Sequence, residues 1–199
     1  MVPSPASTVV LVRDAQTAQG VSQIETLLLL RNHQLVFAGG AWVFPGGKVD
    51  AGDYPAAAAD APQREYQAAV NAVVRETHEE TGLSIPADDL IHIAHWTTPT
   101  GFPRRYATWF FLCPLQTSAA VEVDSQEILD HQWVTPEQAL VMHARNELLL
   151  PKPTAYTLNS IASYSTLTQL CQAMRAEDIY VFPEGSEYYR PVTVPVCRE

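Results

Sequence analysis

Arg75-Glu76-Thr77-His78-Glu79-Glu80-Thr81-Gly82-Leu83 is the stretch on which the reading of this 199-residue chain turns. On a helix Glu76, Glu79 and Glu80 are related by i, i+3 and i, i+4, so the three carboxylates share one face. The residues ahead of them ask for a helix. Tyr66, Val70, Val73 and Thr77 recur at helical spacing, with the good helix formers Ala68, Ala69 and Ala72 between them. At ~100° per residue the carboxylate row lies about a quarter turn from that apolar row. Gly82 follows in the place of a C-terminal stop. The spacing therefore predicts a helix over residues 66–81 that packs one side on a core and carries clustered negative charge on another.

Like charges that close repel, so the strip must face water or gather positive charge. Two readings stand on these residues alone: a solvated acidic face with Arg75 paired to Glu79 at i, i+4, or a site for a cation. The stretch upstream, Phe44-Pro45-Gly46-Gly47-Lys48-Val49-Asp50, favours the second. Together the two segments resemble the Nudix hydrolase superfamily, whose box reads G-x5-E-x7-R-E-U-x-E-E-x-G-U with U apolar. Gly47 matches the first Gly, and Arg75, Glu76, Glu79, Glu80, Gly82 and Leu83 match the second half. There are three departures. Asp53 stands for the first Glu, Thr77 replaces the apolar U, and 21 residues separate Asp53 from Arg75 where the family has seven. The extra Ala-rich stretch, about 56–65, reads as an insertion before the helix or an extension of its start. A coenzyme A diphosphatase-like subgroup carries an insertion at this place.

The resemblance implies an α/β/α sandwich with a mixed central sheet, the box helix on one face and a helix near 136–145 on the other, plus an added C-terminal helix. It implies metal-dependent hydrolysis of a diphosphate linkage, with Glu79 and Glu80 as metal ligands, Glu76 as a further ligand or the base, the Gly47 carbonyl in the metal shell, and Arg75 orienting the cluster. Glu127, in an acidic loop just before a strand, is the candidate for an additional ligand or base; a solvated acidic loop is the alternative. Clustered glutamates without a His or Cys partner suit Mg²⁺ or Mn²⁺ over zinc. His78 points away from Glu76 and reads as a surface or core residue.

The substrate expected is a small nucleotide-containing molecule, with coenzyme A or acyl-coenzyme A ahead of ADP-ribose, an NADH-type or another nucleoside diphosphate derivative. The spacing from Leu27 through Arg31, Gly40 and Phe44 to Gly47 is similar to a coenzyme A signature of such diphosphatases, but Leu29, Asn32 and Val36 depart from it, the last removing an arginine. The segment Pro103-Arg104-Arg105-Tyr106-Ala107-Thr108-Trp109-Phe110-Phe111 resembles one in the subgroup, with Ala107 in place of an Asp. Arg31 and the Arg104/Arg105 pair are expected to hold substrate phosphate; bracing of the loop against Asp88, Asp89 or Glu122 is the alternative. A nucleotide-binding module without turnover also stays open, although it would have no need of all three glutamates.

Charge and composition limit the rest. With 22 acidic against 12 basic residues and a net charge of −10, the chain lacks the basic surface a nucleic-acid backbone requires. The cysteines, Cys113, Cys171 and Cys197, are odd in number and far apart, which fits a reducing, cytoplasmic setting without a disulfide framework. No basic-then-apolar leader opens the chain, its end is not a Ser-Lys-Leu address, and the apolar run 27–30 is too short to span a bilayer. No membrane association is expected.

One domain is expected over 1–199, with a core at 8–147 and an extension at 148–199. Residues 1–7 read as loose, 8–13 and 24–31 as a hairpin, and 41–44 as a short strand into the Gly-Gly turn. Further strands are expected at 90–96 and 105–115, and a helix at 136–145 capped by Thr135 with Pro136 at its first position. A helix over 157–176 would pack on the core or join a second copy of the chain. Residues 180–196 read as a strand or an arm. The resemblance covers about 8–164.

Overall fold

The computed structural model describes residues 2–35, 37–56, 60–116, 120–123 and 125–192. Its centre is a mixed sheet. Strand β1 (Ser4–Gln16) pairs antiparallel with β2 (Ser22–Arg31), the expected hairpin, in a register that sets Val12 against Thr26. Towards its N-terminal end β1 leaves β2 and pairs with β4 (Gly46–Lys48), while β2 takes up β3 (Trp42–Val43). On its other edge β1 runs parallel to β6 (Tyr106–Pro114), which pairs antiparallel with β5 (Ile91–Thr97). Strand β7 (Ile128–Val134) lies antiparallel on β2, and β8 (Tyr180–Phe182) parallel on β5.

Alternation along the strands sorts the core into two layers. Val9, Leu11, Leu27, Leu29, Trp109 and Phe111 face helix α1 (Ala61–Thr81), meeting its Tyr66, Ala69, Val70 and Val73. Val10, Val12, Leu28, Phe110 and Leu112 face the other way, onto α2 (Pro136–Ala144), α3 (Lys152–Ile161) and α4 (Leu167–Ala176). The sandwich expected from the resemblance is therefore present. Thr77 occupies the apolar position of the box fully buried, its hydroxyl donating to the Val73 carbonyl at 2.7 Å, so burial leaves no orphaned donor.

Two expectations fail. Residues 4–7 are not loose: they begin β1, because Tyr106–Thr108 offer a parallel ladder on one side and Gly47–Lys48 an antiparallel one on the other. Pro5 fits there because its carbonyl is what the neighbouring Val49 amide needs. The single helix over 157–176 is two helices. Thr166 takes an extended conformation (φ −137°) and its hydroxyl accepts from the Gln169 amide, starting α4 anew. The apolar period survives the break, with Leu158, Ile161, Leu170, Cys171 and Met174 all buried in one layer. The caps decided where the helices begin; the periodicity could not.

Most of the insertion falls within the described residues. Asp60 caps α1 by accepting from Gln63, so the extra stretch lengthens the start of the helix; residues 57–59 lie outside the described set. Thr135 and Pro136 open α2 as expected. Cys113 and Cys171 are free and buried, and Cys197 lies outside the described residues. No helix among the described residues is long and apolar enough to cross a membrane.

Candidate active site

The C-terminal turns of α1 pass over the Gly46–Lys48 strand, and that crossing builds the site. Glu80 is buried and its Oε2 accepts from the Gly46 amide at 2.9 Å. Glu76 presses on the next residue: a Cβ on Gly47 would collide with its carboxylate. Arg75 sits among the acids. Its Nε and Nη2 donate to the two oxygens of Asp53 at 3.1 and 2.9 Å, its Nη1 to Glu76 and Glu79 at 2.9 Å each, and its Nη2 also to the Lys48 carbonyl at 3.1 Å. The forked guanidinium thus ties helix to strand.

Asp53 was legible only as a shortened Glu. Its role emerges from the short 3-10 turn Ala51–Asp53, which carries the smaller carboxylate to Arg75, while Asn71 clamps the turn by donating to the Asp53 carbonyl at 2.8 Å. Burial would raise the pKa of Asp53, yet the hydrogen bonds from Arg75 and the Asp50 amide hold it below the usual carboxylate value. These same bonds to Asp53, then those to Glu76, keep Arg75 firmly protonated.

Glu76 and Glu80 go the opposite way. Burial raises both; Glu80 is pushed up to about 8 despite its bond from Gly46, with Glu76 and Glu127 adding repulsion. Arg31 offsets little of this. Its Nη1 lies 4.0 Å from Glu80 Oε1, and its buried Nε has no hydrogen-bond partner among the described residues. The Glu127 main-chain carbonyl accepts from the Asn32 amide at 2.8 Å, which joins its loop to the end of β2 beside Arg31.

Among the described residues no three His, Cys, Asp or Glu side chains are gathered closely enough to hold a metal as arranged. Arg75 draws Glu76 and Glu79 to itself, and Glu80 turns to Gly46. The donors still fit a hard divalent cation. They are all carboxylate or carbonyl oxygens, beside a strand whose missing Cβ leaves room for Glu76. His78 is exposed and outside the set.

Arg105 Nε donates to the Thr98 carbonyl at 2.9 Å and its guanidinium lies 5.8 Å from the Tyr188 ring. It helps line a cavity of about 410 Å³ between the β5–β6 loop and Pro183–Tyr188, a segment the sequence left unplaced. Arg104 is exposed. A larger cavity, about 880 Å³, lies by Arg13, Leu167 and Cys171. The β1 positions concerned are about 20 Å along the strand from Gly47's partner Ser7, so its size says nothing about the carboxylates.

Known proteins place this arrangement. The NUDIX domain model matches residues 3–152. Acyl-coenzyme A diphosphatase NUDT19 of Homo sapiens is 35% identical over 99 residues, 49% of this chain and 25% of that protein. Putative nudix hydrolase 7 of Caenorhabditis elegans is 25% identical over 162 residues, 68% of this chain and 55% of that protein. The chain thus matches about a quarter to about half of these relatives' lengths. Among solved structures, a NUDIX hydrolase from Alicyclobacillus acidocaldarius has a TM-score of 0.72 at 22% identity, covering 86% of this chain and 96% of that one. The NUDIX domain of Shewanella oneidensis NrtR, complexed with ADP ribose, has a TM-score of 0.53 at 16% identity, covering 80% and 86%. With three quarters of its length inside the family model, and with the box residues meeting over Gly46 and Gly47, the chain belongs to the NUDIX domain family.

Proposed function

We propose that this protein hydrolyses the diphosphate linkage of coenzyme A or an acyl-coenzyme A. The observation that carries the hydrolase reading is the meeting of Glu76 and Glu80 with the Gly46–Lys48 strand, with Glu79 held beside them by Arg75 and Arg31 only 4.0 Å from Glu80. The substrate preference leans on the relative named acyl-coenzyme A diphosphatase. Mg²⁺ or Mn²⁺ would be held by Glu76, Glu79, Glu80 and the Gly47 carbonyl. Such an ion neutralises phosphate charge and supplies an acidified water.

The chain's own residues do the rest. Arg75, fixed by Asp53, sets the orientation of Glu76 and Glu79. Arg31 offers an under-used guanidinium to a substrate phosphate. Glu127, exposed on its loop, would take a proton from an attacking water; Glu76 is the alternative base. Arg105, engaged by Thr98 and Tyr188, supports the bracing role more than the phosphate role.

The test is phosphate release in Mg²⁺ from coenzyme A, acyl-coenzyme A, ADP-ribose and NADH. A cation contributes several kcal/mol to such a transition state, so Glu79→Gln or Glu80→Gln should lower kcat/KM by about a hundredfold or more with the fold intact. Wild-type turnover in both variants would remove the assignment. Tight ADP-ribose binding with no turnover of any substrate would leave the binding-module reading, which the NrtR domain's ligand makes specific.

A further inference from the structure

The loop between β2 and β3 carries a large aromatic side chain in the open: Phe37 is 42% exposed. A lone exposed aromatic needs no explanation, but this one has a partner and a place. Its ring centroid lies 4.8 Å from that of Tyr106 on β6, at an interplanar angle of 64°. Two rings at that angle and distance meet edge to face, and the open part of the Phe37 ring can still take a flat group.

The place follows from the loop's roots. The Arg31 amide donates to the Ala41 carbonyl and the Gly40 amide to the Arg31 carbonyl, closing the loop at its base. Asn32 fastens it to the Glu127 segment, through its amide to the Glu127 carbonyl and its side chain to the Gln126 carbonyl, both at 2.8 Å. Arg31, whose guanidinium lies 4.0 Å from Glu80, and the Glu127 main chain are therefore the footings of the loop that holds Phe37. On the far side Tyr106 is register partner of Ser4, and Lys48 is register partner of Ala6. With strands ~4.8 Å apart and a rise of ~3.4 Å per residue, Tyr106 sits about 12 Å from Lys48. A ribose bridges such a gap between a base and its diphosphate.

We propose that Phe37 and Tyr106 form the seat for the adenine ring of the substrate, Phe37 stacking on its face and Tyr106 meeting its edge. The inference deepens the hydrolase reading above and rests on it for the position of the diphosphate. An acyl chain is the poorer occupant, since it gains by enclosure, whereas a base needs only a flat face. The seat specifies the nucleotide half of the substrate and leaves the acyl half to other contacts.

The experiment is calorimetric binding of adenosine bisphosphate (the nucleotide half of coenzyme A) and, separately, of phosphopantetheine, to the full chain and to Phe37→Ala and Phe37→Trp. Phe37→Ala should weaken adenosine bisphosphate about tenfold or more, within the range for a base stacked on an aromatic, and leave phosphopantetheine unchanged. Phe37→Trp should restore the affinity, which a loop-bracing role for the pair would not require. The proposal is overturned if Phe37→Ala binds adenosine bisphosphate like the wild type, if it weakens both ligands alike, or if the wild type does not bind adenosine bisphosphate. Because binding is read without turnover, failure of the hydrolase reading would appear in the phosphate-release assay instead.

Discussion

Gly47→Ala separates positioning from folding at this site. The added Cβ would meet the Glu76 carboxylate, with Oε2 at 2.6 Å and two further atoms closer still. No ordinary Cβ contact is that short, so something must move. What moves is the far end of a flexible side chain, and no left-handed backbone angle is recorded at Gly47. Strand β4 can keep its pairing with Ser7, and stability should change by less than about 1 kcal/mol, as for surface substitutions. Glu76 has to retreat by about 1 Å, a misplacement that costs on the order of a hundredfold in rate, or about 2.7 kcal/mol of transition-state stabilisation. The assay is kcat/KM for metal-dependent phosphate release beside a urea unfolding curve. Gly46→Ala is the contrast. Its Cβ would strike the Ser7 carbonyl and the Thr8 Cα, backbone atoms that cannot swing away, at φ +147°. That variant should lose stability as well as activity. Gly47→Ala with wild-type kcat/KM, or with a stability loss as large as that of Gly46→Ala, would refute the placement of Glu76.

Two further outcomes are expected. His92 and His95 on β5 are buried among Tyr66, Trp109 and Tyr189, and burial pushes them down to about 3 and about 4. Folded values below the unfolded 6.5 mean that the native chain binds fewer protons than the unfolded one below that pH. Their stability contribution is thus whole above about pH 6.5 and lost on acidification, by about 2 kcal/mol per histidine at pH 5. Glu76 and Glu80, raised by burial, act in the other sense, so the reading is the difference between wild type and His95→Leu in denaturant midpoint from pH 7 to 5; identical pH slopes would refute it. Arg105→Gln should lower the melting temperature and leave kcat/KM unchanged, because its guanidinium is engaged by Thr98 and Tyr188. A raised KM at unchanged melting temperature would return Arg105 to the phosphate site.

The box helix was legible because two patterns agreed: an apolar row at helical spacing and carboxylates a quarter turn away. The β1–β2 hairpin was legible for a similar reason, as each strand is apolar enough to be buried alone. Residues 4–7 were not, since Ser, Pro and Ala carry no strand signal and only the partners on both edges make them one. The restart at Thr166 hid behind an unbroken apolar period. Asp53 was visible as a departure and invisible as a function, because only the fold brings it across 21 residues to Arg75. Phe37 and Tyr106 lie far apart in sequence, and no local pattern joins them.

Charge balance ties the pieces together. Asp53, Glu76 and Glu79 gather on Arg75, and Glu76 and Glu127 repel Glu80, around the end of α1, where the helix dipole is itself negative. Arg75 is spent holding Asp53, Glu76 and Glu79, and Arg31 touches Glu80 only at 4.0 Å. A diphosphate brought to this place meets like charge unless cations arrive with it or before it. The acidic cluster alone would repel the substrate, and with divalent ions the same carboxylates become the means of holding it. On that reading substrate affinity and cation affinity are one coupled quantity. The affinity for adenosine bisphosphate should then rise with Mg²⁺ in the wild type and lose most of that dependence in Glu80→Gln. An affinity independent of Mg²⁺ in the wild type would show that Arg31 and the aromatic seat suffice, and the electrostatic argument would fall.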